Sequence, residues 1–119
     1  MIERSNTNDR MSQIVQHGGL IYLSGQVPSD TSGDIGAQTA SVLNKIDGLL
    51  KEARTTNSNV LSANIYLADM SDFADMNAVW DTWFSAGTAS ARTCVEAKLA
   101  RPEVRVEITV IAAEQITKD

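Results

Sequence analysis

Three side chains in the last third of the sequence carry groups suited to chemistry: Arg92, Cys94 and Glu107. The guanidinium of Arg92 can hold a planar carboxylate through two parallel hydrogen bonds, and it keeps its charge. The carboxylate of Glu107 can orient a bound water and accept its proton. The thiol of Cys94 is a nucleophile only where its thiolate is stabilised. Because the only histidine, His17, lies far from it in the sequence, we expect Cys94 to line a site rather than to attack.

The composition argues against several other classes of protein. One histidine and one cysteine leave too few ligands for a typical zinc site and no partner for an intrachain disulfide. The formal net charge of -5, without a basic run, argues against a nucleic-acid surface. No apolar run approaches the ~20 residues of a membrane span, and residues 1–5 lack the apolar core of a signal peptide. We therefore expect a cytoplasmic protein without a metal.

Periodicity along the chain predicts the elements that position these groups. Strands over residues 13–16 and 20–24 flank a Gly-Gly dipeptide, which suits a hairpin turn because both glycines can adopt positive φ. A helix over residues 35–54, capped by Asp34, carries apolar residues every three or four positions. The remaining predicted elements are a strand over 60–67, a helix from residue 71 or 72 to Gly87, strands over 91–98 and 104–113, and a frayed tail over 114–119.

The second predicted helix carries a large apolar stripe at helical spacing. Such a stripe usually packs in a core, and a stacking platform for a ligand is the less common alternative. Its members are Phe73, Met76, Trp80, Trp83 and Phe84.

The element order β-β-α-β-α-β-β, with one apolar stripe on each helix, predicts an α+β fold. The simplest arrangement places both helices on one face of a single mixed sheet. We expect one domain over residues 1–119.

The last two predicted strands are expected to pair as a hairpin across residues 99–103. That register places Cys94 opposite Glu107. Because side chains alternate between the faces of a strand, Arg92, Cys94 and Glu107 would all point away from the helices. An ordinary ion pair of Arg92 with Glu107 or Glu96 explains the same pattern, and the pattern alone leaves both interpretations open. In the predicted strand over residues 91–98, the side chains expected to face the helices are Ala91, Thr93, Val95 and Ala97.

A sheet covered on one face also leaves apolar residues open on the other. We expect Ile111, Cys94 and either Ile21 or Tyr22 in this position. Exposed apolar patches of this kind mark interfaces. The pattern therefore predicts self-association, with a site shared between subunits.

Several stretches of the chain resemble a known family. They are YLSGQVP from Tyr22, the strand ANIYLAD, the helix SDFADMNAVWDTWF, and RTCVEAKLARPEVRVEITVIAA from Arg92. In this order they resemble the Rid superfamily, also called the YjgF-type family, over nearly the whole chain. The W-D-x-W helix and the loop at residues 99–102 are most similar to its YoaB-type branch.

The resemblance implies a chorismate-mutase-like fold that assembles as a homotrimer around a central β-barrel. In this family three sites lie in clefts between subunits. The archetypal members hydrolyse 2-imino or enamino acids, released by pyridoxal-phosphate enzymes, to 2-oxo acids and ammonia. They use no cofactor.

The family's functional positions carry over one residue at a time. Its carboxylate-binding arginine matches Arg92, its site cysteine matches Cys94, and its water-positioning glutamate matches Glu107. The remaining matches are Ser24 and Gly25, which would form part of the pocket wall, and Asn77, whose role is less defined.

The chain also departs from the family pattern. Archetypal deaminases of the family have a tyrosine that helps to close the site. The matching position in this chain is occupied by Met11. The proline before the A-R-x-C run is replaced by Ser90, and the L-P after the C-V-E strand by residues 99–102.

Two functions of different classes follow. Retention of Arg92 and Glu107 favours hydrolysis of small 2-imino or enamino acids. The loss of tyrosine at Met11 favours a non-catalytic trimer that binds small carboxylates such as 2-oxo acids. The acidic charge argues against RNA cleavage, an older label in the family.

Overall fold

Two helices pack on one face of a mixed sheet. The structure is a computed structural model that describes residues 1–116; residues 117–119 of the predicted tail lie outside the described residues. The helices are α1, Ile35–Glu52, and α2, Phe73–Trp80. The strands are β1, Glu3–Thr7; β2, Ser12–His17; β3, Leu20–Leu23; β4, Val60–Leu67; β5, Ala91–Glu96; and β6, Val106–Ala113. The predicted α+β class with two helices on a mixed sheet is confirmed.

The first strand, β1, was absent from the prediction. Its sequence ERSNT is polar and shows no alternation of apolar residues, because β1 forms an edge of the sheet and is mostly exposed. The β2–β3 hairpin is confirmed, and its two glycines adopt φ of 61° and 83°. Those positive values match the primed turns that suit the twist of paired strands.

Helix α1 begins where the sequence predicts. The Asp34 carboxylate accepts a hydrogen bond from the Ala37 amide at 2.9 Å, which satisfies an amide that has no partner within the helix. Apolar side chains of α1 and α2 join those of the sheet in one buried cluster. The fully buried members of this cluster include Ile14, Ile21, Val42, Ile46, Ile65, Leu67, Met76 and Ile108.

Helix α2 is shorter than predicted and ends at Trp80, after which the chain continues in turns. Trp80 still packs on Trp83 and Phe84, with ring centroids 5.3 and 5.6 Å away. The aromatic stripe is therefore largely the core packing that was expected.

The predicted hairpin between the last two strands is wrong. The strand order is β1-β2-β3-β6-β4-β5, so β4 separates β5 from β6. The strands β4 and β5 are parallel and α2 is their crossover, because parallel neighbours need a long connection. The loop after β5 then passes the end of β4, where the Ala97 amide bonds the Leu67 carbonyl at 2.9 Å. The short loop suggested a hairpin because nothing in its sequence indicates that β4 lies between β5 and β6.

The predicted orientation of β5 is also wrong. Cys94 pairs with the fully buried Ile65, and paired residues of neighbouring strands share a face, so Cys94 and Arg92 face the helices. Val95, predicted to face inward, is 42% exposed. In β6 the prediction holds, since Val106, Ile108 and Val110 are buried and Glu107 lies on the opposite face.

We call the face without helices the open face. Tyr22 is 42% exposed there, whereas Ile21 is buried, which settles the alternative left by the sequence. Ile111 is half-buried on this face, and Cys94 does not belong to it. Among the described residues no helix is long and apolar enough to cross a membrane.

Candidate functional site

Arg92 is held by one face of α2. Its Nη1 donates a hydrogen bond of 2.6 Å to Oδ1 of Asn77. Its guanidinium carbon lies 5.7 Å from the ring centre of Phe73 and 5.6 Å from that of Trp80, within cation–π range. Phe73, Asn77 and Trp80 are spaced i, i+4 and i+7, so a helix brings them to one side. The guanidinium is therefore oriented before any ligand arrives.

No carboxylate neutralises Arg92 within residues 1–116. The two ion pairs of this part of the chain are Arg101–Glu103 and Arg105–Asp72. Glu96, one expected partner, instead accepts the Met70 amide at 2.9 Å. The ion-pair interpretation of Arg92 is therefore wrong within one chain, and the cation remains available to an anion.

The Cys94 thiol is half-buried against the core. Burial raises the pKa of the Cys94 thiol above its ordinary value, and the positive charge of Arg92 offsets part of this rise. The thiol therefore stays protonated at neutral pH. This state suits a lining residue and does not suit a nucleophile.

Glu107 lies on the open face beside Gly25. The chain at Gln26 pairs with Ile108 through two backbone hydrogen bonds of 2.9 and 3.1 Å, which brings Gly25 over the Glu107 side chain. A methyl group at Gly25 would lie 3.2 Å from Cδ of Glu107 and closer still to a carboxylate oxygen. The absence of a side chain at Gly25 makes room for this carboxylate.

Ser24 and Met11 lie in the segments of the chain that adjoin Gly25 and the start of β2. The Ser24 hydroxyl donates to the Ser12 carbonyl at 2.6 Å, and its amide donates to the Gln13 carbonyl at 3.0 Å. Ser24 thus ties the segment before Gly25 to the start of β2. Met11 immediately precedes that strand and is 37% exposed.

The candidate residues therefore form two groups. The helix-side half-site contains Asn77, Arg92 and Cys94. The open-face half-site contains Gly25 and Glu107, with Ser24 and Met11 in the adjoining segments of the chain. At the usual spacing of strands, β5 and β6 lie about 9.6 Å apart, and the two groups point to opposite faces. The expected convergence of Arg92, Cys94 and Glu107 within one chain is wrong, because β4 stands between them.

Two contacts of Arg92 were missed by sequence reasoning. The apolar stripe predicts Phe73 and Trp80 in the core, and both also lie against the guanidinium. Their spacing from Asn77 was a usable signal, because three side chains on one face of a helix share a neighbour.

A second missed cluster secures the start of α2. Arg105 donates to both carboxylate oxygens of Asp72, at 2.7 and 3.2 Å, and its hydrogen bonding to this carboxylate raises the pKa of Arg105. The fully buried Gln38 accepts the Arg105 amide at 2.8 Å and donates to the Glu103 carbonyl at 3.0 Å. Because Gln38 lies on α1, these bonds fix both helices relative to the start of β6.

The fold and the two half-sites define a small α+β protein with an oriented arginine on one face of its sheet and a glutamate on the opposite face. In the described part of the chain no three His, Cys, Asp or Glu side chains are grouped to hold a metal ion.

The chain belongs to the Endoribonuclease L-PSP family, whose family model matches residues 1–114. It is 42% identical over 113 residues to a RutC family protein of Haemophilus ducreyi, covering 95% of this chain and 97% of that protein. It is 41% identical over 112 residues to the RutC family protein YoaB of Escherichia coli strain K12, covering 94% and 97%. The crystal structure of NMB1025 from Neisseria meningitidis, a member of the YjgF protein family, matches with a TM-score of 0.95 at 48% identity over 98% of each chain. The resemblance to the YjgF-type family and its YoaB-type branch is confirmed.

Proposed function

We propose that this protein hydrolyses small reactive 2-imino or enamino acids to 2-oxo acids and ammonia, at sites shared between the subunits of a homotrimer. The observation that carries the proposal is the environment of Arg92. Its guanidinium is oriented by Asn77 and two aromatic rings and has no acidic partner within residues 1–116. A substrate carboxylate supplies the missing charge.

The trimer joins the two half-sites. Within one chain they lie on opposite faces of the sheet, so Arg92 of one copy can meet Glu107 only across a boundary between copies. The open face exposes Tyr22 and Val95, each at 42%, and burying such surface favours association. A ring of three copies that bury their open faces in a central barrel contains three equivalent sites.

The reaction in such a site needs positioning more than a strong catalyst, because an imine carbon is already electrophilic. Arg92 binds the substrate carboxylate, and Glu107 of the adjacent copy holds a water near C2. The water oxygen forms a bond to C2 while one water proton passes to Glu107. The nitrogen then gains two protons, one returned by Glu107 and one from the new hydroxyl group. The C–N bond breaks, ammonia leaves, and the 2-oxo acid remains.

The remaining candidate residues have passive roles. The protonated thiol of Cys94 lines the cleft. The segment at Ser24 and Gly25 forms its wall and leaves space for the Glu107 carboxylate.

Ammonia release from freshly generated 2-iminopropanoate or 2-iminobutanoate tests the proposal. We expect Arg92→Ala to lose at least about 100-fold in kcat/KM, because the anchor of the carboxylate disappears. The matched control is Arg101→Ala, which removes an exposed arginine paired with Glu103 and should retain activity. Wild-type protein that releases ammonia no faster than Arg92→Ala would contradict the proposal.

A non-catalytic binding protein is the second candidate, and Met11 favours it. This exposed thioether stands where the resemblance leads us to expect a tyrosine that closes the site. The alternative predicts saturable binding of 2-oxobutanoate by calorimetry, lost in Arg92→Ala, with no turnover of either imine.

A further inference from the structure

Tyr66 is the direct neighbour of Glu107 on the open face. The antiparallel pairing of β4 with β6 places these two residues opposite one another. Opposed side chains share a face, with Cβ atoms about 4.5–5.5 Å apart. Tyr66 is half-buried, and within residues 1–116 neither its phenol nor the Glu107 carboxylate has a hydrogen-bond partner.

The Glu107 carboxylate lies toward Gly25, on the side away from Tyr66. The pair therefore presents an acceptor and a donor side by side on the open face, and the carboxylate does not occupy the phenol as a partner. This arrangement suits a water held by Glu107 and a polar atom of the ligand held by Tyr66.

Other donors on this face are engaged or differently placed. The Ser24 hydroxyl already donates to the Ser12 carbonyl at 2.6 Å, and Met11 has no donor on its side chain. Thr109 is the rival, since its Oγ1 lies 3.2 Å from where a methyl group at Gly25 would stand. Thr109 lies on the side of the Glu107 carboxylate that faces Gly25, whereas Tyr66 lies on the opposite side, on β4.

We propose that Tyr66 is a further residue of the site, whose phenol donates a hydrogen bond to the atom double-bonded to C2 of the ligand. That atom is the imine nitrogen of a substrate or the carbonyl oxygen of a 2-oxo acid. The inference deepens the proposed function and rests on it for the chemical step, while its binding step can be measured separately.

In hydrolysis the phenol acts as the proton donor that complements Glu107. As the water oxygen bonds to C2 and a water proton passes to Glu107, the phenol proton passes to the imine nitrogen, giving a neutral carbinolamine. Glu107 then returns its proton to that nitrogen. The C–N bond breaks to release ammonia, the hydroxyl proton passes to the phenolate, and both side chains regain their starting states.

The Tyr66→Phe variant tests this role, because it keeps the ring and removes the hydroxyl. We expect kcat for imine hydrolysis to fall about 100-fold, a typical contribution of a proton donor. The matched control is Tyr22→Phe, which alters a tyrosine of the same face. It pairs with Ile111, four residues beyond Glu107 along β6. The Thr109→Val variant tests the rival donor. Tyr22→Phe and Thr109→Val should each retain kcat within about twofold of the wild type, since neither variant removes the proposed proton donor.

Calorimetric binding of 2-oxobutanoate separates this inference from the proposed function. We expect Tyr66→Phe to weaken binding about fivefold, the usual worth of one hydrogen bond, and Tyr22→Phe to leave it unchanged. If the wild type turns over imines and Tyr66→Phe matches it in both kcat and Kd, the role of Tyr66 is overturned and the proposed function stands. If no imine is turned over but Tyr66→Phe weakens binding, the hydrogen bond is supported and hydrolysis is overturned. Loss of activity in Thr109→Val alone would assign the donor to Thr109.

Discussion

The orientation of Arg92 and the ionisation of Cys94 are set by the residues that pack against them. Arg92 keeps a fixed orientation because Asn77 and the rings of Phe73 and Trp80 surround it, not because a carboxylate pairs with it. Two residues further along β5, the Cys94 thiol meets the core and becomes harder to ionise. One strand therefore carries a cation ready for a ligand and a thiol that stays neutral.

The raised pKa of Cys94 predicts a pH dependence of stability. A thiol whose pKa is higher in the folded state contributes stability at low pH, and this contribution is lost as pH rises above the unfolded value of about 8.5. The free energy of unfolding of the wild type should therefore fall between about pH 8 and 10 more steeply than that of Cys94→Ala. Urea denaturation at several pH values measures both curves. Parallel curves would contradict the burial of this thiol.

At the scale of elements, a close approach of the chain at Gly25 to β6 shapes the open-face half-site. The backbone pairing of Gln26 with Ile108 brings Gly25 over Glu107. The atoms that a larger residue would strike belong to the Glu107 carboxylate, at the end of a flexible side chain, and to the Thr109 hydroxyl. Replacement of this glycine should therefore displace the Glu107 carboxylate more than it destabilises the fold.

The Gly25→Ala variant should separate function from stability. We expect it to lose more than about tenfold in kcat, because the added methyl group displaces the Glu107 carboxylate and misplacement by about 1 Å is costly. Its melting temperature should change little. The control is Gly48→Ala in the middle of α1, where nothing lies within 4 Å of the new methyl group. That variant should gain roughly 0.5–1 kcal/mol of stability and keep its activity. Equal activity in both variants would contradict the role given to Gly25.

For the whole molecule, the separation of the half-sites links the proposed reaction to the proposed assembly of several copies. Arg92 and Glu107 are on opposite faces of the sheet and two strands apart. A site that uses both must take them from different copies. An inactive variant of one half-site should therefore be repaired by an inactive variant of the other.

Mixed trimers test this expectation directly. Arg92→Ala and Glu107→Gln should each be inactive alone. When they are unfolded and reassembled together in equal amounts, about one quarter of the sites should receive an intact arginine and an intact glutamate from adjacent copies. Ammonia release should recover to about that fraction of the wild-type rate. No recovery, with mixed trimers shown by mass spectrometry, would argue that each site lies within one chain.

The local elements follow from the sequence because their signals are local. The Gly-Gly turn between β2 and β3, the Asp34 cap of α1 and the alternation in β6 each depend on residues close in the chain, and each has the structure expected. Even the open-face position of Glu107 follows from that alternation.

Only the tertiary structure decided which residues share a site. The neighbour of β5 is β4, because α2 carries the chain across so that β5 forms on the far side of β4. The short loop before β6 gives no sign of this pairing between distant segments. In β5 the pairing with β4 turned Arg92 and Cys94 toward the helices, although the exposed Val95 is the more apolar side chain. The sequence by itself determined the chemical groups, Arg92, Cys94 and Glu107. Their division between two faces of the sheet was decided by strand order, because nonlocal pairing sets which side chains meet.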